Sequence, residues 1–380
     1  LNEFFPTVGL MINILLGIFI SAFLAEMFFY LFFFSQTGKK KKKKKVSKNS
    51  LPPVSVIICA RNEEENLRKY LPLVLEQEYP SFEVIVVNDC SDDDTHELLN
   101  NLLSEYSNLK VTAIKKDPRF THNKKLALTI GIKAASNELL LLTDADCYPV
   151  SKYWIREMMI NYSKKTDIIL GYGGYETRPG LLNKLIRFEA VFTAMQYMGL
   201  AERRIPYMGV GRNLSYRKSL FFLNKGFASH LHLNSGDDDL FISEIATPSN
   251  TCVETHPDSF TRSVPASDVT SWFRQRKRHF TTGIYYKSTI KALLGGEYLL
   301  RSLFNISFIL LLVLGSFYQL FLSVYLINAV VKGIIFKIIL MRLKERYLFI
   351  FSLLIEPFQP ILYVCIHMVN FIERKRSRWR

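Results

Sequence analysis

The chain has 380 residues, 49% of them hydrophobic and 22% charged, with a formal net charge of +15. Its apolar residues gather at the two ends, which excludes an ordinary soluble domain, and its excess charge lies in runs beside those apolar stretches, not on a basic helix or aromatic platform, which excludes nucleic acid as the partner. Five cysteines, Cys59, Cys90, Cys147, Cys252 and Cys365, occur singly, so no zinc or dithiol spacing is present and reduced thiols in a cytoplasmic domain are expected.

Residues 10–34 are apolar except for Asn13, Glu26 and a few small residues, longer than the roughly 20 residues a helix needs to cross hydrocarbon. A signal peptide has a shorter apolar core and a cleavage site, so residues 1–36 are expected to be an uncleaved anchor. The lysines at 39–45 within the linker 37–50 then hold the following chain on the cytoplasmic side. They either add about 1 kcal/mol of attraction each to an anionic leaflet or serve as a solvated linker that only sets orientation.

From residue 51 to 296 short β-branched runs alternate with helical spacing. Strands are expected at 54–59, 82–88, 109–114 and 138–143, too continuously apolar for one exposed face. Helices are expected at 64–75, 94–106, 123–135 and 152–163, with Asp94 and Glu97 as a capping box. This α/β alternation predicts a doubly wound, mainly parallel sheet with ligands at the carboxyl ends of its strands.

The residues able to do chemistry fall at those ends. Ala60, Arg61, Asn62 and Glu63 follow the first strand, Asn88 and Asp89 end the second, and Asp144 and Asp146 follow the fourth. Any one of them alone reads as a turn former or cap. Together, three acidic loops point to a nucleotide and a cation: Asp89 can accept hydrogen bonds from a base or ribose. Asp146 offers a hard oxygen to Mg²⁺ or Mn²⁺, with Asp144 on the ribose or on a metal-bound water.

Further along, residues 181–198 suggest an amphipathic helix, at a membrane interface or buried in the core. A glycine-bearing stretch at 209–217 contains Gly211, Arg212 and Asn213. Asp237, Asp238 and Asp239 form an acidic triplet that reads either as a solvated helix start or as a source of catalytic carboxylate. A basic run holding Gln275, Arg278 and His279 precedes the next apolar block; it can bind lipid headgroups or a diphosphate.

Residues 297–346 have room for two short membrane helices, with Lys332 and Lys337 snorkelling to the cytoplasmic interface. The last apolar stretch, within 347–380, contains Pro357 and Pro360 and ends in the basic tail 374–380. A single crossing would carry that tail outside, against the positive-inside tendency, so a broken or re-entrant segment is expected.

Four motifs in order, residues 54–63 (VSVIICARNE), 86–91 (VVNDCS), 123–128 (NKKLAL) and 143–146 (TDAD), resemble those of family 2 inverting glycosyltransferases, over most of residues 51–285. The resemblance implies a GT-A fold that binds a nucleotide-diphosphate sugar, a UDP-sugar being favoured. It places residues 60–63, Asp89, Lys124, Lys125 and Asp144 on the donor, and Asp144 and Asp146 on the metal as a DxD motif. Residues 235–240 resemble the segment that carries the general base, assigning Asp237 with Asp238 as its rival; Gly236 stands where the family has Glu. Residues 275–279 resemble a Gln-x-x-Arg-Trp motif with His279 in place of Trp, so that Gln275 and Arg278 fall on the donor diphosphate. Gly211, Arg212, Asn213 and His279 fall on the acceptor side.

The expected protein is a metal-dependent, inverting hexosyltransferase of the plasma or inner membrane with its catalytic domain in the cytoplasm. It would act on a lipid-linked or glycan acceptor in cell-envelope glycan synthesis. Two alternatives stay open: a processive polysaccharide synthase, and a non-catalytic membrane scaffold that keeps a nucleotide-binding fold.

Overall fold

The computed structural model describes residues 4–40, 51–115, 123–233, 235–314 and 318–378, with the side chains of 10–369 among them. Lysines 41–45, Phe317, Trp379 and Arg380 lie outside the described residues. The chain folds as two compact units, Lys39–Trp272 and a second that joins Leu1–Gly38 to Phe273–Arg380. The first helix, α1 (Phe4–Phe28), continues through a π turn (Phe29–Phe33) and a 3-10 turn (Phe34–Gly38).

In the α/β unit, strands β1 (Val54–Ala60), β2 (Phe82–Asp89), β3 (Leu109–Ile114) and β4 (Leu139–Asp144) lie parallel in the order β3-β2-β1-β4. Helices α2 (Glu64–Leu75), α3 (Thr95–Glu105) and α4 (Lys124–Ala134) cross between them. Strands β1, β2 and β4 are buried on both faces, as their unbroken apolar runs require, with Val84, Ile85, Val86 and Val87 all fully buried, whereas the edge strand β3 is buried at Leu109 and otherwise partly or fully exposed. Register pairs Ala60 with Asn88 and Cys59 with Asp144, so the carboxyl ends of β1, β2 and β4 open on one edge.

The rest of the unit adds antiparallel neighbours to a sheet that stays mainly parallel. After β5 (Cys147–Pro149), α5 (Trp154–Met159), β6 (Ile168–Leu170), β7 (Gly173–Tyr175) and α6 (Leu181–Glu202), strand β8 (Leu214–Arg217) pairs antiparallel with both β4 and β6. Helices α7 (Lys218–Leu223) and α8 (Asp239–Ile245) precede β9 (Thr251–Val253), which completes a seven-stranded mixed sheet. A small second sheet, β5-β10-β7, uses β10 (Thr261–Ser263). Helix α6 is buried from Ile186 to Ala201 at most positions, which answers the open choice in favour of the core.

At the carboxyl end of the chain, α9 (Val269–Phe280) leads to α10 (Ser288–Leu314), α11 (Tyr318–Arg342), α12 (Phe349–Ile355) and α13 (Gln359–Arg378). Among the described residues four segments are long and apolar enough to cross a membrane: Leu10–Gly38, Ser288–Leu314, Tyr318–Arg342 and Phe349–Val369. Aromatic packing joins the first two, with Phe19 stacked on Phe304 at 5.0 Å. Lys332 does not snorkel as expected. It is buried, with Nζ 2.5 Å from Glu26 Oε1 and 3.0 Å from Glu356 Oε1. Arg301 joins them, 3.1 Å from Glu356 Oε1 and donating to Gln359 Oε1 at 3.0 Å, while Tyr30 donates to Glu356 at 2.8 Å. In low dielectric, removing one partner of such a pair costs about 3–5 kcal/mol.

The proline-bearing segment changes partners at its middle. Along α12, Phe349 lies beneath Lys337 and Leu353 packs at Gly333, and in the 3-10 turn that follows (Glu356–Phe358) Glu356 meets Lys332. Along α13, Gln359 meets Arg301, Tyr363 packs on Tyr298, and His367 lies 4.7 Å from Phe280. The contacts of α13 thus step back toward the start of α10.

Candidate active site

The shared edge of β1, β2 and β4 gathers the acidic loops. Asp144 is the last residue of β4 and Asp146 sits in the turn before β5. The ligand atoms of Asp144, Asp146 and Cys147 lie within 4.8 Å of one another. Ser263 Oγ donates to Asp146 Oδ2 at 2.7 Å and Cys147 Sγ to Oδ1 at 3.3 Å. Burial, and then the Asp144 charge, hold the Asp146 carboxyl above its usual range. Two crowded carboxylates form a set that a divalent cation relieves, and because the thiol is used as a donor to Asp146, the oxygens left suit Mg²⁺ or Mn²⁺.

Lys124 links this pair to the acidic triplet. Asn123 caps α4 by accepting from the Leu126 amide at 3.0 Å, and the first helical residue projects its ammonium 2.6 Å from Asp144 Oδ1 and 3.2 Å from Asp237 Oδ2. Burial pulls that ammonium down, but Asp144, Asp237 and Asp238 outweigh it and hold the group above the ordinary lysine range.

The two rival carboxylates are not equivalent. Asp238 accepts from the Gly211 amide at 2.7 Å through Oδ2 and from the Asp239 amide at 2.7 Å through Oδ1, which makes it the N-cap of α8. Burial, then the Asp237 and Asp239 charges, push it up to about 7. Asp237 instead faces Lys124. Gly236 adopts φ +101°, and a Cβ there would come within 2.6 Å of Leu240. The turn into the triplet therefore requires glycine. Gly211 is a close-approach position too: a Cβ would stand 3.3 Å from Asp238 Oδ2 and 3.5 Å from Lys124 Nζ.

Other expected residues divide between site and scaffold. Asp89 ends β2, buried. Ala60 is a buried strand end and Arg61 is exposed. Asn62 accepts from the Asp92 amide at 2.7 Å through its side chain, and its own amide donates to Ser91 at 3.0 Å, so it ties the first two loops together. Glu63 accepts from Asn66 at 2.6 Å, and its carboxyl is raised by burial and, more weakly, by Asp146 and Asp144. Asp94 makes no side-chain cap, contrary to the capping-box expectation; Asp93 binds the Glu64 and Thr95 amides instead.

Two further expected residues are buried hydrogen-bond centres. Lys125 is 2% exposed and donates to the carbonyls of His230 at 2.6 Å and Leu233 at 2.9 Å. Asn213 is a fully buried cross-link. It accepts from Trp154 Nε1 at 3.0 Å and donates to Tyr172 O at 3.0 Å and Ser259 O at 2.7 Å.

Arg212 donates to Tyr175 Oη and, at 2.9 Å, to Gly173 O, while its carbonyl accepts from Thr143 and Thr261. Gln275, Arg278 and His279 lie on α9, within the unit that joins Leu1–Gly38 to Phe273–Arg380. Ser263 and Cys147, which hold Asp146, were not singled out from sequence, Ser263 because it lies 117 residues away in a three-residue strand.

Residues 55–221 match the family described as glycosyl transferase family 2. The chain is 29% identical over 181 residues to the probable glycosyltransferase YdaM of Bacillus subtilis (45% of this chain, 41% of the relative). It is 32% identical over 192 residues to the glycosyltransferase AglE of Haloferax volcanii (50% and 60%). It therefore spans less than two thirds of either relative's own length. Its fold is similar to that of the mannosyltransferase PcManGT from Pyrobaculum calidifontis, solved with GDP-Man and Mn²⁺. The TM-score is 0.58 at 16% identity, covering 91% of this chain and 98% of that one.

Proposed function

We propose that this chain, in which residues 55–221 form a glycosyltransferase family 2 domain of GT-A fold, is a membrane-held inverting enzyme. It would move a sugar from a nucleoside-diphosphate donor to a lipid-linked or glycan acceptor. The observation that carries this reading is the chain of contacts Asp144–Lys124–Asp237, which joins the donor-side carboxylates to a carboxylate on the opposite loop. Its four long apolar segments favour an acceptor that resides in the bilayer.

In this mechanism Asp89 accepts from the nucleobase, and Asp144 and Asp146 would hold Mg²⁺ or Mn²⁺, which when bound offsets the diphosphate charge. Asp237 takes the proton of the acceptor hydroxyl as that oxygen bonds to the anomeric carbon. The bond from that carbon to the diphosphate oxygen breaks on the opposite face, and its electron pair leaves with the diphosphate. The resemblance assigns Arg278 a charge-assisted pairing with the leaving group. Asp238 serves by holding the start of α8 and the Gly211 turn.

The test is to incubate the full chain in native lipid with a panel of GDP- and UDP-sugars and measure nucleoside diphosphate release. One donor should be consumed with inversion at its anomeric carbon, read by NMR of the product. Retained configuration, or no consumption of any donor, would overturn the reading.

A further inference from the structure

Lys125 is a buried cation that the proposed chemistry does not use. It follows Lys124 in the first turn of α4, and successive helical side chains diverge by about 100°, so one lysine reaches the carboxylates and the other a different target. That target is backbone. Nζ donates to His230 O and Leu233 O, both in the loop that leads through Gly236 to Asp237.

The same loop is stitched to α8 on its other side. Ser229 Oγ donates to Glu244 Oε1 at 2.5 Å, and His230 Nδ1 lies 3.2 Å from the same oxygen. The left-handed turn at Gly236 then delivers Asp237 beside Lys124. An ammonium is costly to bury and is retained where it satisfies groups that water cannot reach; here it meets Leu233 O and His230 O, the latter also accepting from the Leu233 amide at 3.1 Å.

We infer that Lys125 is a positioning residue: by clamping the His230 and Leu233 carbonyls to α4 it sets the place of Asp237 relative to the donor edge, without itself touching the nucleotide. The inference rests on Asp237 being the base. The two adjacent lysines would then divide one task, Lys124 holding the carboxylate and Lys125 the chain that carries it.

The test uses the full chain in lipid. Lys125→Met removes the donors while keeping the length of the side chain. It should lower kcat by about 10–100-fold, the range a misplaced catalytic group costs, with the donor KM and nucleotide affinity within about twofold. Lys125→Arg, which keeps donors, should recover most of kcat. A donor KM raised about tenfold or more with kcat preserved would make Lys125 a nucleotide ligand and overturn the inference. So would unchanged kcat in Lys125→Met where Asp237→Asn is inactive.

Full turnover by Asp237→Asn would be a separate failure, of the base assignment. The clamp is then judged by amide hydrogen exchange at Leu233, Gly236 and Asp237. Exchange should quicken about tenfold in Lys125→Met, and unchanged exchange overturns the clamp. Should Lys125→Met not fold, Lys125→Gln carries the same split and the same exchange measurement.

Discussion

Lys124 Nζ stands 2.6 Å from Asp144 Oδ1, so the first carboxylate of the DxD pair is held by a cation built into the chain. Lys124→Met should therefore lower kcat/KM by about 10²-fold, the scale of losing a charge-assisted contact in a shielded site. Lys124→Arg should restore little, since a planar fork cannot replace a point charge set between Asp144 and Asp237. Steady-state kinetics over donor concentration decide this; a rescue by Arg would mean that charge alone suffices.

Asp146→Asn should abolish metal-dependent donor binding while the protein melts at or above the parent temperature. The carboxyl is half-buried and crowded by Asp144, so losing its charge removes a repulsion, yet a hard cation needs that charge. Mn²⁺ titration followed by electron paramagnetic resonance, with a thermal melt alongside, separates the two effects. Undiminished Mn²⁺ binding removes Asp146 from the metal site.

Asp237→Asn should reduce kcat by about 10²–10⁴-fold and leave the donor KM nearly unchanged, as expected for a general base acting on the acceptor. Asp238→Asn should differ. It weakens a helix cap and the tie to Gly211, costing about 1 kcal/mol of stability with a smaller kinetic effect. If Asp238→Asn carries the kcat loss instead, the two roles are exchanged.

The tail beyond residue 369 is expected on the cytoplasmic side. The partners of α13 run from Arg301 to Tyr298 to Phe280, the sequence of contacts that a segment entering and leaving on one side would make, and the basic tail resists translocation. A single cysteine placed in the tail of a Cys365→Ser background should resist an impermeant maleimide in intact cells and react after lysis. Labelling in intact cells would mean that the last segment crosses.

What could be read from sequence was whatever is encoded locally. Strand β1 and helix α2 carry their full signal in contiguous residues, and α2 spans the expected 64–75. Helix α5 ends at Met159, short of 163, because the Asn161 amide donates to the Glu157 and Met158 carbonyls and to Glu254, which draws the chain out of the helix. Strands β8 and β10 are only four and three residues long and exist through partners far along the chain, so they were not found. The adjacent lysines show the same limit at the site: the motif marks α4, but the rotation of the helix decides that Lys124 meets Asp144 and Lys125 meets His230.

The charged cluster among the apolar helices also constrains biogenesis. Glu26 finds Asn328 and Lys332 across separations of 302 and 306 residues. At synthesis rates of about 5–20 residues per second, the first helix waits roughly 15–60 s for those partners to emerge. Throughout that interval it carries a carboxylate whose like costs about 2.5–3.5 kcal/mol at the centre of a spanning helix. The N-terminal helix is thus a component and not an interchangeable anchor: a foreign hydrophobic segment in its place would insert more readily and then leave Lys332 with half its counter-charge.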